Sequence, residues 1–72
     1  MRNPRTVDDV LAVMEKIESW VEDDAVASQM ENELWERVLR SIRNGTADDP
    51  AALAKAALGT CRMPFRRWPK GA

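Results

Sequence analysis

Apolar side chains recur at steps of three and four residues along the first quarter of the chain. They form one stripe on a helical wheel, with charged residues opposite. Thr6 and Asp9 just before the series have the spacing of a capping box. The pattern predicts an amphipathic helix over residues 7–22. The apolar positions of its stripe are Val7, Val10, Leu11, Met14, Ile17 and Val21.

A second apolar stripe follows an acidic interruption of the pattern. It predicts a second helix over residues 25–43, for which Asp23, Asp24 and Ser28 are the candidate N-caps. Glu-to-Arg pairs four residues apart support this helix on its outer face, and Asn44-Gly45 ends it. The apolar positions of this stripe are Met30, Leu34, Trp35, Val38, Leu39 and Ile42.

The connection between these helices has two interpretations. Neither Gly nor Pro occurs between Thr6 and Asn44, so one long bent helix is possible. Its heptad seam would then carry three polar residues, which disfavours a continuous coiled coil. Those residues are Asp24, Ser28 and Glu31. We therefore expect a helical hairpin that turns near residues 23–25.

A third, shorter helix is predicted over residues 50–58. Asp49 supplies a capping acid, and Pro50 occupies the first helical position. The helix is rich in alanine, and Gly59 fits the position just after its end. The prolines beyond Gly59 exclude a regular helix there. The predicted fold is all-α: a helical hairpin, a short third helix and an extended C-terminal tail.

Charge divides the chain at the same place. Residues 1–59 contain seven Lys or Arg and twelve Asp or Glu, a net charge of −5. Residues 60–72 contain four cations and no acid, a net charge of +4. Such asymmetry is typical of an interaction tail. We therefore divide the chain into an acidic helical domain, 1–59, and a basic-aromatic tail, 60–72.

Size limits how this chain can be stabilised. A core built from 72 residues is small. One cysteine excludes an internal disulfide, and the lack of histidine argues against a structural zinc site. The two stripes are broader than a hairpin covers, so we expect a homodimer in a four-helix arrangement.

No segment approaches the ~20 apolar residues of a membrane span, and we expect a cytoplasmic protein with a reduced thiol.

Catalysis is not expected. Without histidine the usual acid–base groups and triads are missing, and Cys61 has no neighbouring base. The carboxylate pairs lie at predicted helix starts or turns, where capping explains them. The glycines are isolated, so no phosphate-binding loop is present. We expect no enzyme, no cofactor and no bound metal.

The tail contains the candidate partner-binding residues. Trp and Arg are enriched in binding hot spots, so we interpret the tail as an extended segment that docks on a protein. Alternatively, the tail folds back, its aromatic residues complete the core and its arginines meet carboxylates of the helices. Nucleic-acid binding is a further interpretation, although Pro64 excludes a recognition helix here. The candidate residues are Arg62, Met63, Phe65, Arg66, Arg67 and Trp68.

The segments ELWERVLRSIRNG, DDPAALAKAAL and FRRW together resemble short uncharacterised helical proteins of actinobacteria and their phages. The resemblance covers roughly residues 33–68. It implies a small bacterial or phage protein that changes a host process by binding in the cytoplasm. The predicted function is thus a non-enzymatic protein-interaction module, a small phage or bacterial regulator that binds a host protein. The alternative is a nucleic-acid-binding transcriptional regulator that uses the basic C-terminal segment.

Overall fold

Three α-helices account for most of the chain. The computed structural model describes residues 3–67, in which helices α1 (Val7–Ser19), α2 (Asp24–Arg43) and α3 (Pro50–Leu58) are followed by a 3₁₀ turn, Gly59–Arg62. Within this range there is no strand. The all-α prediction is confirmed, and the chain forms a hairpin rather than one bent helix. Along the described chain, no helix combines the length and hydropathy needed to cross a bilayer.

Helix α1 begins as predicted but ends three residues before the predicted boundary at 22. The capping box is formed, since Asp9 N–H donates to Thr6 Oγ1 and Thr6 N–H donates to an Asp9 carboxylate oxygen, each at 3.2 Å. The early end follows from Asp23, whose extended backbone lets its carboxylate accept from Val26 N–H at 3.2 Å. Residues 20–22 therefore belong to the turn.

Helix α2 starts one residue earlier than predicted and ends where predicted. Asp23 is its N-cap, whereas Ser28 lies inside the helix and is buried. The helix stops at Asn44-Gly45, where Gly45 has φ +72, a left-handed conformation that glycine adopts without steric cost.

Helix α3 has the predicted bounds, with Asp49 accepting from Ala52 N–H at 3.1 Å. Gly59 directly follows α3, as predicted, but its backbone conformation is not the one typical of a glycine that ends a helix. It does not terminate the helix in a left-handed conformation, because its φ is −58 and the chain continues into the 3₁₀ turn. A Cβ at Gly59 would lie 2.9 Å from Met14 Cε. Gly59 thus lies against the flexible end of the Met14 side chain.

The core lies where α3 packs against both α1 and α2. Phe65 joins it from beyond the 3₁₀ turn. The two predicted stripes are therefore covered largely within one chain. The buried apolar residues are Val10, Ile17, Ala27, Leu34, Val38, Leu53, Ala57 and Phe65.

Trp20 and Trp35 differ in burial. Trp35 is partly buried against the core, and its indole N–H donates to Ala57 O and to Thr60 Oγ1, both at 3.2 Å. Trp20 is 50% exposed, because α1 ends before it and leaves it in the turn.

Candidate functional site

The first part of the basic-aromatic tail, residues 60–67, packs back onto the helices; we call this segment the strap. Phe65 is only 7% exposed and lies in the core. Phe65 N–H donates to Met63 O at 2.9 Å, which closes a tight turn around Pro64. Proline fixes φ near the value that such an inverse γ-turn needs. As far as residue 67, the chain therefore adopts the folded-back arrangement.

An ion pair between Arg67 and a buried carboxylate of α2 attaches the strap to that helix. Arg67 Nε lies 3.3 Å from Glu31 Oε1, and Arg67 Nη2 lies 3.2 Å from Glu31 Oε2. The Glu31 side chain is 3% exposed and that of Arg67 is 37% exposed. Two parallel N–H···O bonds from one guanidinium fix both distance and orientation, which a lysine ammonium does not do.

The same guanidinium also holds the strap together. Arg67 Nη1 donates to Met63 O at 3.0 Å and to Phe65 O at 2.8 Å, and Nη2 donates to Thr60 O. Its central carbon lies 4.0 Å from the centroid of the Phe65 ring, a cation–π contact. Arg67 thus connects the carbonyl groups of the strap to the carboxylate of α2.

The predicted binding residues of the tail occupy different environments. Phe65 and Arg67 make the internal contacts described above. Arg62 and Arg66 are exposed, and the backbone N–H of Arg66 donates to Asp24 Oδ1 at 3.1 Å. Met63 is half-buried beside Leu11 and Met14. Trp68 lies outside the described residues. A partner-binding role for these six side chains stays a prediction.

A second surface, the α2–α3 groove, is apolar and open to solvent. Its volume is about 190 Å³. Leu39 and Leu58 form its rims and are 65% and 58% exposed. The groove exists because α3 is short and rich in alanine, so it covers the Val38 side of the α2 stripe and leaves the Leu39 side open. The lining residues are Trp35, Val38, Leu39, Ala54, Ala57 and Leu58.

The chemistry of this groove suits side chains rather than a small-molecule ligand. Ligand pockets in proteins typically measure ~300–1,000 Å³, and this groove is smaller. The indole N–H of Trp35 is already bonded to Ala57 O and Thr60 Oγ1, so it is not left unpaired when the groove is filled. An aliphatic anchor from a partner would therefore bury apolar surface without leaving a polar group unsatisfied.

The sequence pattern assigns Leu39 to the apolar stripe of α2 and does not identify Leu39 and Leu58 as an exposed pair. A signal was present: Leu39 directly follows Val38, so the two side chains project about 100° apart on a helix and one narrow neighbour does not cover both. Which of the two stays exposed depends on where α3 packs, and the periodicity of α2 does not contain that information.

Three exposed cations lie near the groove: one follows Leu39 on α2, and two line the neighbouring depression that shares Ala54 and Leu58 with the groove. Arg43 follows Leu39 by four residues, so the two lie side by side on α2. Lys55 and Arg62 line the surface on the other side of Leu58. Within residues 3–67 no group of three or more His, Cys, Asp or Glu side chains is placed to hold a metal ion. Cys61 is a free, exposed thiol.

Comparison with known proteins found no match among protein-family models, curated proteins or solved structures. The resemblance to short proteins of actinobacteria and their phages therefore stays a prediction.

Proposed function

We propose that this chain is a non-enzymatic protein-interaction module that binds a partner protein in the α2–α3 groove. The observation that carries the proposal is the exposure of Leu39 and Leu58 around one apolar depression. Full burial of a leucine is worth ~1.5–3 kcal/mol, so covering the exposed parts of both would contribute about 2–4 kcal/mol to binding. Exposed apolar clusters of this kind mark interaction sites more often than isolated exposed leucines do.

The strap supports this function by holding one wall of the groove. Trp35 lines the groove and is bonded to Thr60, and the Thr60 carbonyl accepts from Arg67. Arg67 in turn is bound to Glu31 of α2. In this proposal the tail acts first by positioning the end of α3 against α2. Its exposed Arg62 then lies beside the groove, where it can contact a bound partner.

The biological setting that we propose is a small phage or bacterial regulator that acts on a host protein in the cytoplasm. The exposed Cys61 thiol fits a reducing compartment. The homodimer predicted from the helix stripes would bury the same groove, because α3 and Phe65 cover much of the remaining stripe surface. Sedimentation of the chain alone at micromolar concentration distinguishes a second copy from a different partner.

The proposal is tested by affinity capture from bacterial lysate with the full chain and three matched variants. Leu39→Asp and Leu58→Asp place a charge in the groove. Leu11→Asp places the same charge on α1 at a leucine that is 46% exposed. Circular dichroism first establishes that each variant is folded. We expect the two groove variants to lose a partner that the Leu11 variant retains. Equal capture by all four proteins would contradict the proposal.

The alternative function, nucleic-acid binding, is supported by the exposed side chains of Arg62 and Arg66. It requires an affinity that falls steeply with salt concentration, because phosphate binding releases counterions. A gel-shift titration across salt measures this directly. Salt-sensitive binding that persists in Leu39→Asp and is lost when both arginines are replaced would favour this function over the groove.

A further inference from the structure

We infer that the element bound in the α2–α3 groove is an amphipathic helix whose apolar side is flanked by acidic residues. The inference rests on the proposed function, because it specifies the chemistry of the partner at the same groove. Its evidence is the distribution of charge around the groove and the shape of the groove walls.

The cations beside the groove are available to a partner. Arg43, Lys55 and Arg62 are exposed, and within residues 3–67 none of them forms an ion pair with a carboxylate. By contrast, Arg40, the other nearby cation of α2, pairs with Glu36 at 3.8 Å. Three unpaired positive charges around an apolar surface favour a partner that brings carboxylates to the rim.

Charge also differs between α1 and the part of the chain that forms the groove. Residues 7–23, which form α1 and the turn, contain six acids and one lysine, a net charge of −5. Residues 33–62, which contain the groove walls and the Glu33 that pairs with Arg37, have five cations and four acids, a net charge of +1. The acidic side of the molecule repels an acidic partner, and the groove side attracts it. Long-range steering therefore favours the same orientation as the local contacts.

The groove walls favour a helix over other peptide conformations. The α3 wall is formed by Ala54 and Ala57 below Leu58, and small side chains let the backbone of another helix approach closely. A helix presents apolar anchors at steps of three, four and seven residues to a groove between two helices. Strand addition needs the edge of a sheet, and residues 3–67 contain no strand.

A second copy of this chain is the competing occupant. The outer side of α1 is itself acidic and carries an exposed leucine, with Asp8, Glu15 and Glu18 near Leu11. Self-association through the groove would then replace binding of a foreign helix. Sedimentation separates the two cases, because a dimer that Leu39→Asp converts to monomer would show that the groove is filled by this chain and would overturn the inference.

The inference is tested with two synthetic helical peptides of about 20 residues, a length at which an isolated helix is stable enough to compare. Both have leucines at the same spacing. One carries glutamate beside the leucine stripe and the other carries lysine. Binding of each labelled peptide to the full chain is measured by fluorescence anisotropy, at ~0.1 M salt and at ~1 M salt, where the Debye length falls from ~10 Å to ~3 Å.

At the lower salt concentration we expect the acidic peptide to bind about tenfold more tightly than the basic peptide. A few exposed ion pairs would give a difference of this size. The preference should shrink at the higher salt concentration. Leu39→Asp should abolish binding of both peptides. Lys55→Glu should weaken binding of the acidic peptide and strengthen binding of the basic peptide. Lys16→Glu on α1 is the control for a charge change outside the groove and should have less effect than Lys55→Glu.

Several results would overturn the inference and leave the proposed function standing. Equal binding of both peptides that is lost in Leu39→Asp would mean that the groove binds helices without regard to charge. Failure of both peptides to bind, with Leu39-dependent capture of a lysate protein, would mean that the partner element is not an acidic helix. Lysate capture that does not depend on Leu39 or Leu58 would instead contradict the proposed function itself.

Discussion

Replacing Arg67 with alanine removes the bidentate partner of a carboxylate that is almost completely buried. The Glu31 carboxylate, whose side chain is 3% exposed, then loses the guanidinium that it is bonded to. The strap also loses the guanidinium that joins the carbonyl groups of Thr60, Met63 and Phe65. The variant therefore tests how much the packing of the strap on α2 contributes to the stability of the fold through this one side chain.

The expected magnitude follows from the burial of the two partners. Removing one partner of a fully buried pair costs ~3–5 kcal/mol. Here the Arg67 side chain is 37% exposed and the Glu31 side chain is 3% exposed, so water can enter the space that Arg67 leaves. We expect a loss of about 2–3 kcal/mol in the free energy of unfolding. The whole chain is expected to have only ~4–11 kcal/mol, so this is a large fraction.

The assay is urea unfolding followed by circular dichroism, applied to a double-mutant cycle. The cycle compares Glu31→Ala, Arg67→Ala and the double variant with the unaltered chain. A second cycle on Glu33 and Arg37 is the control. The distance from Arg37 Nη2 to Glu33 Oε1, 3.1 Å, is similar to the 3.2 Å between Arg67 Nη2 and Glu31 Oε2, but the control pair is formed within α2. We expect a coupling of at least about 1 kcal/mol for the Glu31–Arg67 pair and ~0.3–0.5 kcal/mol for the control pair.

Two results would refute this reasoning. Coupling below that of the control pair would mean that Glu31 and Arg67 do not interact as a buried pair in solution. We expect Arg67→Ala to lower the melting temperature by roughly 10–20 °C, because each kcal/mol of lost stability lowers it by ~4–8 °C in a domain of this size. An unchanged melting temperature would mean that the strap contributes nothing to stability.

Four further substitutions test other contacts of the fold. Phe65→Ala empties a core position beyond the last α-helix, so we expect a loss of ~3–5 kcal/mol in urea unfolding; a loss below ~1 kcal/mol would show that Phe65 does not belong to the core. Gly45→Ala should cost ~1–2 kcal/mol because φ is +72 there. Gly59→Ala should change stability by less than ~1 kcal/mol, because the flexible end of Met14 can move away from the added methyl group and alanine favours the helical conformation. A larger loss at Gly59 than at Gly45 would contradict both explanations. Ser41→Ala should be neutral or stabilising in thermal unfolding, because Ser41 Oγ is buried and has no hydrogen-bond partner among the described residues; strong destabilisation would indicate a partner for that hydroxyl.

The parts of the fold that depend on local chemistry were predictable from the sequence. The cap at Thr6, the cap and proline at Asp49-Pro50 and the stop at Gly45 each involve residues within one helical turn. The end of α1 was harder to predict from the sequence, because Asp23 is compatible both with the last turn of α1 and with the N-cap of α2. The extended backbone at Asp23 decides between these roles.

The contacts that organise the candidate surfaces were not predictable from the sequence. Glu31 reads as a polar residue on the heptad seam or as part of a capping box, and its partner Arg67 is 36 residues away. Because Arg67 pairs with it, the Glu31 carboxylate is accommodated at a buried position where the sequence pattern shows only an interruption of the apolar seam. The exposure of Leu39 likewise depends on the placement of α3. In both cases a long-range contact changes the role of a residue whose local pattern was read correctly.

The central claim is that the α2–α3 groove binds a partner helix, and nuclear magnetic resonance titration tests it most directly. The acidic peptide is added to isotopically labelled full chain, and backbone amide and indole signals are followed residue by residue. The account predicts that the largest shift changes occur at Leu39, Leu58 and the Trp35 indole N–H, while Leu11 changes little. Largest changes at Leu11, or no change at the groove at saturating peptide concentration, would contradict it.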